Sequence, residues 1–234
     1  MKTGVFAYNF PHWKTQAGIQ NLCISGNKPD VVFAADPVNL NFYKSKIRIS
    51  AKDLFLWHPK DLCEYYDIDY VVIKHNSQET SEQVLKRDLD IGVILGARIL
   101  KPIAFDNFKL GVINMHPGIL PQNRGLDSVK WAIAKGIPQG VTCHIIDKNI
   151  DRGLKIIQEE IIIYNDDSLV DINIRVQNLE QRLMIKSLEY IKLNGVANLE
   201  ALSKGEYHKS MPPKKEETLV EDFINYKMEK SCQV

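Results

Sequence analysis

Short apolar runs recur along this chain, separated by stretches whose apolar residues repeat at helical spacing. Residues 4–8, 30–35, 69–74, 90–95 and 110–115 read as strands. Residues 15–24, 59–66 and 81–89 read as helices, the second with proline in its first turn. That alternation predicts an α/β chain built on an open, mostly parallel, doubly wound sheet. The rhythm changes after residue 116. Residues 140–147 and 154–164 flank a short polar turn, which predicts an antiparallel hairpin beside the parallel strands. A long helix begins near Ser168, where Ser168 and Asp171 have the spacing of a capping pair. Its apolar stripe of Leu169, Ile172, Val176, Leu179 and Leu183 is expected to pack on the sheet and to end at Lys186. Beyond Gly195 the chain turns polar, with residues 211–217 expected as an extended arm, its charged stretch 214–217 solvated, and residues 219–228 as a last helix. The chain thus divides into a main domain, residues 1–195, and an extension, residues 196–234. Leu219, Val220, Phe223, Ile224 and Tyr226 of the extension need a covering surface, which makes it a candidate dimerisation arm.

Chemistry gathers where the last parallel run ends. Residues 110–113 deliver Asn114 and His116 to the carboxyl end of a strand, and residues two apart on extended backbone point to one side. Pro117-Gly118 stops the strand, because proline gives no ladder donor and glycine accepts turn geometry. Open α/β sheets hold their ligands at this end. Downstream, Pro121-Gln122-Asn123-Arg124-Gly125 leads into a helix over residues 127–135, and the next strand carries His144. The turn 148–153 then places Asp151 to return toward the first strand end. An amide, an imidazole and a carboxylate suit acyl transfer to an amine. The amide N–H stabilises an oxyanion, the imidazole moves protons, and the carboxylate favours the charged imidazole. None of these needs a metal. Cys143 lies inside a strand without a glycine-rich elbow, so no serine or cysteine nucleophile stands out. Singly, His116 would be a core histidine and Asp151 a turn aspartate; their joint spacing lifts both. His144 stays open between a partner of the site and a structural histidine, and Arg124 between an anion contact and a brace for the next helix.

Composition narrows the partners. Thirty Lys and Arg against 29 Asp and Glu leave a formal charge of +1, so no broad face for tRNA or DNA is expected. The apolar start is too short for a signal peptide and no stretch approaches a bilayer-spanning helix, so a cytoplasmic protein without a membrane partner is expected. Cys23, Cys63, Cys143 and Cys232 are scattered without a CxxC pair and read as reduced thiols. His12, His58, His75 and His208 lack companions at ligand spacing, so no metal is expected.

Three motifs in order resemble one family. They are Asn114-x-His116-Pro117 followed by Leu120-Pro121 and Arg124-Gly125, then Gly140-Val141-Thr142-x-His144, then Ile150-Asp151-x-Gly153. This arrangement is similar to the formyltransferases that use 10-formyltetrahydrofolate, among them glycinamide ribonucleotide, methionyl-tRNA and sugar-nucleotide N-formyltransferases. The resemblance implies catalytic roles for Asn114, His116 and Asp151 in residues 1–195. It also implies a folate co-substrate held by Arg98, Ile99 and Leu100 on one wall and by Asp147 and Ile150 on the other. A ribonucleotide-type member would carry a glycine-rich phosphate turn after the first strand. Here Tyr8-Asn9-Phe10-Pro11-His12-Trp13 holds no glycine and three aromatics. Tyr8, Asn9, Phe10 and Trp13, with Arg124, are therefore expected to face a larger acceptor, with stacking as the aromatic contribution. The expected acceptor is a nucleotide-linked amino sugar, such as a 4-amino-4,6-dideoxyhexose of surface-glycan (lipopolysaccharide or O-antigen) synthesis, handled by a homodimer. The alternatives are formylation of glycinamide ribonucleotide, hydrolysis of the formylated folate, and folate binding without catalysis.

Overall fold

The computed structural model describes residues 1–39, 43 and 45–231. Its alternating half runs β1 (Thr3–Tyr8), α1 (Trp13–Ile24), β2 (Val31–Ala35), α2 (Pro59–Tyr65), β3 (Asp69–Val72), α3 (Gln78–Arg87), β4 (Ile91–Ile94), α4 (Pro102–Phe105) and β5 (Val112–His116). There follow β6 (Arg124–Gly125), α5 (Ser128–Lys135), β7 (Gly140–Ile145), β8 (Leu154–Glu160) and α6 (Leu169–Asn194). The chain closes with β9 (Glu200–Ala201), β10 (Tyr207–His208), α7 (Pro213–Glu216) and α8 (Leu219–Lys230). The main sheet has the order β3-β2-β1-β4-β5-β7-β8-β9. Its first five strands are parallel and its last three pairings antiparallel. The strand order reverses between β1 and β4, which leaves a crevice at their carboxyl ends.

Both faces of the sheet are covered. Val5 and Ala7 of β1 enter one core with α1, α5, α6 and α8, while Phe6 enters a second core with Val84 of α3 and Phe105 of α4. The strand period of two sorts β5 in the same way: Ile113 and Met115 join the larger core, which leaves Asn114 and His116 to the other side. Ser168 and Asp171 close a reciprocal capping box at the start of α6.

Two expectations fail here. The long helix does not lose its packed face at Lys186, because Ser187, Leu188 and Ile191 remain buried and carry it to Asn194. Residues 211–217 are not an extended arm either: Pro213–Glu216 form α7, and although Pro212, Pro213, Lys214 and Glu217 are exposed, the stretch is pinned at two points. Met211 joins the main core, and Glu216 pairs with Lys130 at 2.7 Å, both side chains about as buried as core residues. Lys130 lies on the packed face of α5, where a lone ammonium would be costly, so the chain returns a carboxylate to it. Glu216 also accepts hydrogen bonds from Tyr43, Ser45 and the Lys46 N–H. Burial opposes its charge, but these donors prevail and hold its carboxyl near 2. Leu219, Phe223 and Tyr226 of α8 bury in the main core, whereas Val220, Ile224 and Met228 face outward.

Candidate active site

The antiparallel neighbour of β5 supplies what the motif lacks. β7 places His144 opposite Asn114 and Thr142 opposite His116. Asn114 Nδ2 lies 3.2 Å from His144 Nε2, and His144 Nδ1 lies 2.6 Å from the Arg152 carbonyl oxygen. A carbonyl only accepts, so Nδ1 carries the proton and Nε2 is left to accept from the amide. Burial, followed by the charge of His116, pushes His144 down to about 4 and keeps it in this neutral form. The Asn114 amide is thereby oriented. Its second N–H and its carbonyl oxygen have no partner among the described residues, and the residue lines a cavity of about 420 Å³.

His116 is buried beside the same cavity. Its Nε2 donates to the Asn123 carbonyl at 2.7 Å and its Nδ1 faces Asp151 Oδ1 at 3.4 Å. Both ring nitrogens thus meet acceptor oxygens. Asp151 has φ +48, a left-handed conformation that aspartate tolerates. The Gly125 N–H donates to its Oδ2 at 2.8 Å. Burial raises the Asp151 carboxyl, but the His116 ring and the Gly125 N–H outweigh it, and the group lies below the usual carboxylate range.

The remaining expected site residues fall into several groups. Tyr8 lines the cavity, donates to the Ala97 carbonyl at 3.0 Å, and stacks on Phe10 with centroids 4.9 Å apart. Asn9 is held by Asp36 and Tyr70, each at 2.6 Å. Trp13 is not with them: it lines a separate hollow between α1 and α6, because the first turn of α1 rotates its ring away from the strand ends. Arg124 is a brace rather than an acceptor contact. It is buried, with Nε and Nη2 on the Ile150 carbonyl at 3.2 and 2.5 Å and Nη1 on the Gly205 carbonyl at 3.0 Å. Arg98 and Ile99 are exposed after β4, while Leu100 is buried in a cluster with Phe105 and Phe108. Asp147 accepts from Asn149 and lines a cleft of about 470 Å³ with Phe105, Phe108 and Ile146.

The formyl transferase family model matches residues 52–188, more than half of the chain, including Asn114, His116, His144 and Asp151. The chain belongs to the formyl transferase family. Methionyl-tRNA formyltransferase of Chlorobium chlorochromatii is 28% identical over 123 residues, which is 52% of this chain and 39% of that enzyme. The chain thus matches about two fifths of that relative's length. Glycinamide ribonucleotide transformylase 1 of Symbiobacterium toebii shares the fold, with a TM-score of 0.63 over 87% of this chain and 95% of that one at 17% identity. The formyltransferase PseJ of Anoxybacillus kamchatkensis is 26% identical, with a TM-score of 0.54 over 71% of this chain and 92% of its own. Its structure holds UDP-4,6-dideoxy-4-formamido-L-AltNAc and tetrahydrofolate. Among the described residues no helix is long and apolar enough to cross a membrane, and no cluster of His, Cys, Asp and Glu could hold a metal. Cys23, Cys63 and Cys143 are free thiols, and Cys232 lies outside the described residues.

This formyl transferase chain also brings residues to the cavity that the sequence reading missed. Lys14 donates to the Met115 carbonyl at 2.9 Å and to Glu180 at 2.7 Å; Ser128 and Asn173 line the wall. A signal existed. Asn173, Glu180 and Ser187 recur every seven residues among the apolar positions of α6, and all three are buried. A polar row on a packed face needs partners on the opposing element.

Proposed function

We propose that this protein transfers the formyl group of 10-formyltetrahydrofolate to the amine of a nucleotide-linked amino sugar, of the 4-amino-4,6-dideoxyhexose type. The observation that carries the reading is the oriented Asn114 amide beside the His116–Asp151 pair at one cavity. The acceptor nitrogen bonds to the formyl carbon, the bond from that carbon to the folate nitrogen breaks, and the proton shed by the amine ends on that nitrogen. The free Asn114 N–H is the donor for the oxygen that gains charge. His116, braced by Asp151, lines the same cavity and is assigned the proton transfer.

The residues present suit a folate. Phe105, Phe108 and Ile146 offer an apolar lining to a bicyclic ring, and the Asp147 carboxylate offers an acceptor to its N–H edge. For the acceptor, support comes from the stacked Tyr8–Phe10 pair at the turn after β1, from the lack of a glycine-rich phosphate turn there, and from the nucleotide sugar in the PseJ structure. The test is tetrahydrofolate release from 10-formyltetrahydrofolate with a panel of nucleotide-linked amino sugars, glycinamide ribonucleotide and methionyl-tRNA. Release that depends on an amino sugar is expected. Release without any amine would make the protein a hydrolase, and release with glycinamide ribonucleotide alone would replace the acceptor.

A further inference from the structure

Residues 200–208 run along both sides of the turn that carries Asp151. On one side β9 adds to the edge of β8, with Ala201 opposite Leu154, and the Leu202 N–H donates to the Gly153 carbonyl at 2.8 Å. On the other side β10 pairs with β6, with Tyr207 opposite Arg124 and His208 opposite Gly125. The Arg124 N–H donates to the Glu206 carbonyl at 3.2 Å and the Leu126 N–H to the His208 carbonyl at 3.0 Å. Between these seams the Arg124 guanidinium reaches both the strap, at Gly205, and the turn, at Ile150. The fit is close: a Cβ on Gly205 would lie 1.7 Å from the Pro121 carbonyl oxygen, and one on Gly125 would lie 1.9 Å from that of His208. Gly125 in turn gives its N–H to Asp151.

We infer that residues 200–208 are a positioning strap for catalysis, which sets the Asp151 carboxylate against His116 through Arg124 and Gly125. A carboxylate on a turn has no local reason to keep one geometry, and a misplacement of about 1 Å can cost about a hundredfold in rate. The strap supplies the missing constraint from outside the turn. His116 and His144 are the titratable groups that act on Asp151, and the Gly125 N–H is the neutral donor that the strap controls. The kinetic arm of this inference rests on the proposed formyl transfer; the structural arm does not.

The test uses the full chain carrying Gly205→Val, with Arg124→Lys as a milder variant that keeps the charge but loses the fork. The Asp151 carboxyl is followed by ¹³C NMR against pH in the absence of substrate. Both variants should titrate above the native protein, Gly205→Val the further. Turnover should fall about 10- to 100-fold while KM for the formyl donor stays within about twofold. Ile224→Ser, on the outward face of α8, should change neither readout. A folded Gly205→Val protein with native Asp151 titration overturns the strap; if that variant does not fold, Arg124→Lys decides by the same two readouts. Should the native protein transfer no formyl group at all, the functional proposal fails, and the titration still decides the strap.

Discussion

Asn114 and Asp151 reach the surroundings of His116 by opposite routes. Asn114 and His116 share a side because β5 is extended, and His144 joins them because β7 pairs in a fixed register. Asp151 sits on a turn and depends on Gly125, Arg124 and a distant strap to face His116. Strand-borne groups inherit their aim from local backbone geometry. A turn-borne group takes its aim from brackets elsewhere in the chain.

The largest effect is expected on the bracketed side. Glu216→Gln leaves the Lys130 ammonium buried without a counter-charge and should cost about 3–5 kcal/mol of stability, read from denaturant midpoints. A loss under about 1 kcal/mol would show that the tail seats nothing important. The folded carboxyl lies near 2, below its ordinary value of 4.5. Its contribution is therefore present above the ordinary value and drains away as pH falls from there through about 2. Asn114→Ala probes the strand-borne side. It should lower turnover by about two to three orders of magnitude, about 3–4 kcal/mol of barrier, with folate affinity near native by calorimetry. Near-native turnover would remove Asn114 from the chemistry.

A third effect is smaller and depends on pH. His144 titrates near 4 when folded against an ordinary 6.5, so the unfolded chain takes up its proton first. Stability should fall as pH drops from about 6.5 to about 4, by up to about 3 kcal/mol at the low end. His144→Phe should flatten that part of the urea-midpoint curve, and an unchanged slope would assign it to other groups. The smallest effect is expected at Val220→Ser on the outward face of α8, within about 0.5 kcal/mol and with turnover unchanged. A large change there would mean that this face is covered in solution.

The parallel sheet, the hairpin and the α6 capping box were legible because each is written in residues close together in sequence. β6, β9 and β10 were not, since each is a two-residue bridge that exists only where a distant partner lies alongside. Arg124 looked equally like an anion contact and a brace until Ile150 and Gly205 were beside it. Trp13 misled because composition marks an aromatic turn but not the direction of each ring. Ser187 hid the continuation of α6, because a polar residue breaks an apolar stripe in sequence even when it is buried.

The lengths of chain between partners also order events in time. Lys14 and Glu180 are 166 residues apart, Arg124 and Gly205 81, and Lys130 and Glu216 86. Closing spans of this size is entropically expensive, and such contacts form late during folding. In refolding from urea, far-UV circular dichroism should therefore recover before the proposed formyl transfer does, with a measurable lag between them. Simultaneous recovery of the two signals would mean that the cavity forms together with the sheet.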